Sequence, residues 1–234
     1  MQKDLTYIAV LLDRSGSMHG TETDVVGGAN AFIEQQRAVP GDAIITIARF
    51  DDTYETIYED VDIKSARLLT PEDFVPRGNT ALFDAMNRLL THVGAKLAAL
   101  PEDKRPGQVF FLVFSDGQEN HSSEVRDGQV IRDMVKRQEE VYSWKFLFFG
   151  MEIDAVAVGG SIGVKGLSSS KTSGGIGRSA KAASAYVGTS RMGNTKAAEE
   201  IYGSVDVDDV GVSHGIADFE ASLDAKKNGK DKKN

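Results

Sequence analysis

The stretch Tyr7-Ile8-Ala9-Val10-Leu11-Leu12-Asp13-Arg14-Ser15-Gly16-Ser17-Met18 decides the fold. Its apolar half, residues 6–12 with Thr6 included, has no alternation and is short, as expected of a strand buried on both faces. The run stops at Asp13, a loop rich in hydroxyls follows, and Val25, Ala29, Phe32 and Gln36 then recur at helical spacing. A buried strand feeding a loop and then a helix is the opening unit of a parallel α/β sheet.

The rest of the chain extends that reading. Residues 43–50, 109–114 and 145–149 are further apolar runs of strand length, and residues 53–62 alternate like a strand that doubles back through Asp51-Asp52-Thr53. Leu82, Met86, Leu89, Val93, Leu97 and Leu100 make the strongest helical stripe. Weaker helices fit residues 123–141, through Val130, Met134 and Val141, and residues 152–161, where Asp154 suits the first turn. The order β-α-β-β-α-β-α-β-α predicts a doubly wound, mostly parallel sheet with one antiparallel edge strand and helices on both faces.

Past Gly163 the pattern fades. Residues 166–177 read as a Ser/Gly/Lys loop and residues 178–187 as one last helix, which bounds a domain at 1–190 with its core at about 5–165. Residues 191–234 are polar and weakly patterned, and are expected to be a mobile tail ending in the Lys-rich segment 226–234.

Composition narrows function. The 234 residues carry a net charge of −8 and no Cys, which removes disulfides, thiolate chemistry and Cys-ligated metals. The acidic balance gives no drive toward nucleic acid. The first apolar run is too short for a membrane span or a secretion signal, so the expected location is cytoplasmic.

What chemistry remains is oxygen-based. Asp13, Ser15 and Ser17 sit on alternate residues of a strand-to-helix loop, where such sheets gather ligands, and Gly16 lets the backbone turn between the hydroxyls. Hydroxyl and carboxylate ligands suit a hard divalent cation, Mg²⁺ first, with Mn²⁺ also able to occupy such a site. Asp13 and Ser15 equally suit a cap on the first helix, Thr80 a cap on the second, and Asp116-Gly117 a plain turn. Three capping accidents would then have to imitate one metal site.

With these residues in place, the chain resembles the von Willebrand factor A domain family, whose metal-ion-dependent adhesion site carries an Asp-x-Ser-x-Ser loop, a later Thr and a later Asp. Asp13, Ser15 and Ser17 match the loop, Thr80 in Arg77-Gly78-Asn79-Thr80-Ala81-Leu82 matches the Thr, and Asp116 in Phe114-Ser115-Asp116-Gly117 matches the Asp. The likeness spans about residues 5–165. Phe50-Asp51-Asp52, Pro76 to Leu82 and Trp144 to Gly150 are similar to stretches of small stand-alone bacterial and bacteriophage members. The resemblance implies metal contact by the hydroxyls of Ser15, Ser17 and Thr80, with Asp13 and Asp116 acting largely through water or hydrogen bonds. It also implies an open metal position for an Asp or Glu of a partner protein, and a binding module rather than an enzyme.

Two other readings compete: a scaffold or virion component whose metal merely ties loops together, and a metal-assisted phosphoester hydrolase using His121 or Glu119 as base. His19 also lies near the loop, and Asp51, Asp52 and Glu119 are expected to ring the same sheet edge. Gly175-Ile176-Gly177-Arg178-Ser179-Ala180 lacks the strand a dinucleotide loop requires, and Lys171-Thr172 is preceded by Ser170 where a phosphate loop needs Gly.

Overall fold

A computed structural model describes residues 1–203, 206, 208 and 210–231. The chain runs β1 (Gln2–Asp13), α1 (Glu22–Ala38), β2 (Asp42–Phe50), β3 (Tyr54–Asp62), α2 (Leu82–Ala99), β4 (Pro106–Ser115), α3 (Gly128–Tyr142), β5 (Lys145–Met151), α4 (Ala155–Ser161), β6 (Lys165–Ser169), α5 (Ser173–Arg191), α6 (Thr195–Gly203) and α7 (Val210–Asp231). The sheet order is β3-β2-β1-β4-β5-β6. Every pairing is parallel except β2 with β3, the antiparallel edge expected from the Asp51-Asp52-Thr53 turn.

β1 is central and splits its side chains between two cores. Ile8, Val10 and Leu12 pack with Phe32 and Ile33 of α1 and with α5, whereas Tyr7, Ala9 and Leu11 pack with Leu82, Met86 and Leu89 of α2 and with Ile131 and Val135 of α3. Burial on both faces is why the sequence shows a continuous apolar run there.

Three expectations change. Residues 166–177 are not a loop throughout: β6 occupies their start, pairing in parallel with β5 from Leu147↔Lys165 to Met151↔Ser169, and α5 begins at Ser173. β6 lacks apolar bulk because α4 lies directly on it; a Cβ on Gly166 would collide with the Ala155 carbonyl. α3 starts at Gly128 behind an Asp127 cap and buries Ile131 and Val135, while Val130 and Val141 face solvent.

The third change concerns the expected mobile tail from Arg191, where α6 and α7 stand instead. Ile201, Val212, Phe219 and Leu223 are buried in the α1/α5 core. A Cβ on Gly188 would strike the Phe219 ring, and one on Gly215 would lie 2.6 Å from Ile201 Cγ1, so the three helices meet at glycines. Residues 232–234 of the Lys-rich segment lie outside the described residues. No helix among the described residues is long and apolar enough to cross a membrane.

Candidate metal centre

The order in which strands are added reverses at β1: β2 and β3 extend the sheet to one side, and β4 to β6 to the other. The crevice beyond the strand ends at such a switch point is where open α/β sheets hold ligands. Leu12 is in register with Phe114, which sets Asp13 beside Ser115 and brings Asp116 to the same edge.

Asp13 anchors the cluster. Its Oδ1 accepts the Ser15 backbone N–H at 2.8 Å and its Oδ2 accepts the Ser115 hydroxyl. A single 3₁₀ turn, Gly16–Met18, then folds the loop back, pinned by the buried Met18 side chain. That turn places Ser15 Oγ 3.0 Å from Ser17 Oγ, and the Ser17 hydroxyl donates to Asp116 Oδ1 at 2.7 Å.

Thr80 arrives from the loop ahead of α2. Its N–H donates to Asn120 Oδ1 at 3.0 Å, and its carbonyl accepts the N–H groups of Asn120 and His121. A Cβ on Gly117 would lie 2.9 Å from Thr80 Oγ1 and 3.7 Å from Asp13 Oδ2, so both oxygens border one glycine that must stay small. Asp13, Ser15, Ser17, Thr80 and Asp116 therefore converge. The capping alternatives do not hold: α1 begins behind Thr21 and α2 behind Ala81, neither with a side-chain cap.

The surrounding loops are stitched by main chain. Gly16 N–H donates to the Gly78 carbonyl, Arg77 N–H to Arg14, Arg14 N–H to Phe50 and Ala81 N–H to Asp51. Gly78 has φ +67 and no room for a Cβ beside Asp52, so this contact depends on glycine twice over. Beneath the loop, Arg14 pairs with Asp51 at 2.9 Å and Glu55 at 3.0 Å, while Arg77 reaches the same two carboxylates from the surface.

Electrostatics follow from this packing. Burial, with a smaller push from the neighbouring Asp116, raises the Asp13 carboxyl from 3.8 to about 6, against the hydrogen bonds from Ser115 and Ser15 that lower it. Asp51 is also desolvated, but hydrogen bonds from Arg77 and Thr53 and the charge of Arg14 outweigh burial and hold it below the usual carboxylate range. Asp51 is thus neutralised by arginines and adds no free negative field.

The other acids and histidines have structural partners. Glu119 accepts the Phe83 N–H, the His121 and Ser122 N–H groups and the Ser122 hydroxyl, which makes it a clasp between its loop and the start of α2. His121 Nε2 stands 3.5 Å from Asp52, and His19 Nδ1 stands 3.4 Å from Glu22.

Sequence reasoning missed two residues. Ser115 supports Asp13, and only the strand register reveals it. Lys171, weighed only as a phosphate-loop residue, extends its ammonium to Asp116 Oδ2 and to the Ser17 carbonyl. Hydroxyls and two carboxylates, with a cation already drawn to one of them, are a donor set that fits a hard metal ion. Among the described residues no three His, Cys, Asp or Glu side chains group to hold a metal, so any site here relies on the hydroxyls.

No protein-family model and no curated protein matches the chain. Solved structures do. A von Willebrand factor type A protein from Catenulispora acidiphila aligns with a TM-score of 0.55 at 11% identity, covering 78% of this chain and 42% of that one. The open conformation of the pilus adhesin SpaC from Lactobacillus rhamnosus GG gives 0.57 at 10% identity, covering 79% and 30%. The vWF domain of the type V pili tip protein Mfa5 from Porphyromonas gingivalis gives 0.53 at 8% identity, covering 75% and 94%. The chain spans less than half the length of the first two. Sheet order and these likenesses together define a doubly wound α/β domain. Its fold is that of a von Willebrand factor A domain.

Proposed function

We propose that this chain is a divalent-metal-dependent protein-binding module, with Mg²⁺ or Mn²⁺ held by Asp13, Ser15, Ser17, Thr80 and Asp116 and completed by an Asp or Glu of a partner protein. The observation that carries the reading is the hydrogen-bonded convergence of Asp13, Ser15, Ser17 and Asp116 at the sheet's switch point. When bound, the ion supplies a Lewis-acidic position able to accept a carboxylate. Ser115 and the Ser15 N–H orient Asp13, Ser17 orients Asp116, and Gly117 leaves space for the Thr80 hydroxyl.

The loop-tying alternative is weakened because main-chain hydrogen bonds already join the 13–18, 50–53 and 76–81 loops. The hydrolase alternative is weakened because Glu119, one of its two candidate bases, is spent on backbone N–H groups. A non-enzymatic role accords with that engagement of Glu119, and the absence of Cys suits the reducing cytoplasm.

Calorimetric titration with Mg²⁺ and Mn²⁺ tests the site: one saturable event in the wild type is expected, lost in Asp13→Ala and in Thr80→Ala. Metal-loaded protein is then offered peptides ending in Asp or Glu and their amide counterparts, with and without chelator. Chelator-sensitive preference for the acids supports the module; no metal binding by the wild type overturns it.

A further inference from the structure

We propose that Lys171 is a tethered cation that competes with the divalent metal for Asp116, so that metal binding and the present arrangement of the β6–α5 loop exclude one another. The inference rests on the metal reading above. It identifies the feature of this chain that sets metal affinity and couples the site to α5.

Lys171 Nζ forms an ion pair with Asp116 Oδ2 and donates to the Ser17 carbonyl, while Asp116 Oδ1 accepts the Ser17 hydroxyl. Both oxygens of Asp116 are therefore engaged, and the lysine closes over the turn that carries Ser17. Its side chain is 20% exposed and that of Asp116 only 2%, so the pair is largely shielded from water and from screening salt. An ammonium is a compact point charge, the side-chain group best able to stand where a small cation stands. It brings one positive charge to a place lined by two carboxylates.

The loop holds the lysine there. Ser170 Oγ lies 2.8 Å from Thr172 Oγ1, and Thr172 caps α5 by accepting the Gly175 N–H at 3.2 Å. A Cβ on Gly175 would collide with the Ser170 carbonyl, so the segment is tightly wound around Lys171. A metal that takes Asp116 and Ser17 must displace the ammonium, and the displaced side chain hangs from the residue next to the α5 cap. α5 in turn packs on α1, α6 and α7, which gives the displacement a path into the helical layer.

Titrations with Mg²⁺ and Mn²⁺ on wild type, Lys171→Met and Lys171→Gln test this, with Lys181→Met, which loses a surface pair to Glu220, as control. Removing a shielded charge-assisted hydrogen bond that opposes binding is expected to tighten metal affinity by about 10- to 100-fold. Both Lys171 variants are also expected to melt lower than wild type without metal, and to regain the difference in saturating Mn²⁺. Equal or weaker metal binding by the Lys171 variants overturns the competition while leaving the metal site standing. Binding by none of the proteins overturns the metal reading itself, and the inference with it.

Discussion

Gly117→Ala is the sharpest test of how the site is assembled. The new methyl carbon would lie 2.9 Å from Thr80 Oγ1 and 3.6 Å from its Cγ2, against an ordinary contact of 3.4 Å or more, so the hydroxyl must yield by about half an ångström. Thr80 cannot retreat as a unit, because its N–H and its carbonyl are both bonded to the 120–121 segment. Its side chain must instead turn out of its well, at roughly 0.5–1.5 kcal/mol, within an overpacking cost of about 1–3 kcal/mol. That is a tolerable loss for the fold. It is severe for a Mg²⁺ site, whose near-ideal geometry leaves little play in ligand position. Urea unfolding followed by the buried Trp144 should therefore show a small shift, while calorimetry should show metal affinity falling at least about tenfold. Gly160→Ala, where a Cβ meets nothing within 4 Å, is the matched control and should leave both unchanged or slightly stabilise α4. If Gly117→Ala binds metal like the wild type, Thr80 Oγ1 is not a member of the donor set.

Three further outcomes follow from the packing. Phe219→Ala should cost about 3–5 kcal/mol in urea unfolding, because the ring is 1% exposed against Gly188; a silent result would mean α7 is not part of the folded core. Asp51→Asn should destabilise by about 3–5 kcal/mol because it removes a partner of the buried Arg14, whereas Arg77→Ala, 54% exposed, should cost under about 1 kcal/mol; equal effects would refute the buried pair. Asp73 is held at about 2, mainly by its hydrogen bonds from Arg67, below its ordinary 3.8. A depressed carboxyl stabilises the fold above its unfolded value, so this contribution should be intact at neutral pH and fade as pH falls from about 4 toward 2. Since Arg67 is half exposed it should amount to less than about 1 kcal/mol, and Arg67→Ala should flatten that part of the acid-stability curve.

The legible parts of the chain are those where one short segment contains its own explanation. The runs at 6–12 and 109–114 are apolar because both sheet faces are covered, and the Leu82 stripe is amphipathic because α2 has one solvent face. β6 was illegible because its small residues answer to the backbone of α4, which no local pattern records. α6 and α7 hid for a related reason. Their apolar residues, Ile201, Val212, Phe219 and Leu223, are few and spaced by Gly, Ser and charged residues, and the close contacts that admit them rest on glycines elsewhere in the chain, Gly188 for Phe219 and Gly215 for Ile201. At the site, Asp13, Ser15, Ser17, Thr80 and Asp116 could be placed from their loops. Ser115 and Lys171 could not, since each acts on a partner at least 50 residues away.

The two carboxylates explain why a cation belongs here and why the lysine is an imperfect one. Parallel register places the ends of β1 and β4 side by side, so Asp13 and Asp116 share one buried edge, and Asp116 adds to the cost of charging Asp13. Lys171 reaches Asp116 Oδ2 and not the Asp13 carboxylate. Asp13 receives a backbone N–H and a serine hydroxyl but no positive charge, and its carboxyl is pushed upward. A monovalent ammonium on a fixed stem reaches one acid; a divalent ion centred among the Ser15, Ser17 and Thr80 hydroxyls would act on both. On the proposed metal reading, the charge left unbalanced around Asp13 would favour a divalent ion over Lys171, and the same imbalance predicts that Asp13→Asn lowers metal affinity without loosening the Lys171–Asp116 pair. Calorimetry on that variant, read beside its metal-free melting temperature, separates the two effects: a variant that binds metal as tightly as the wild type would refute the account.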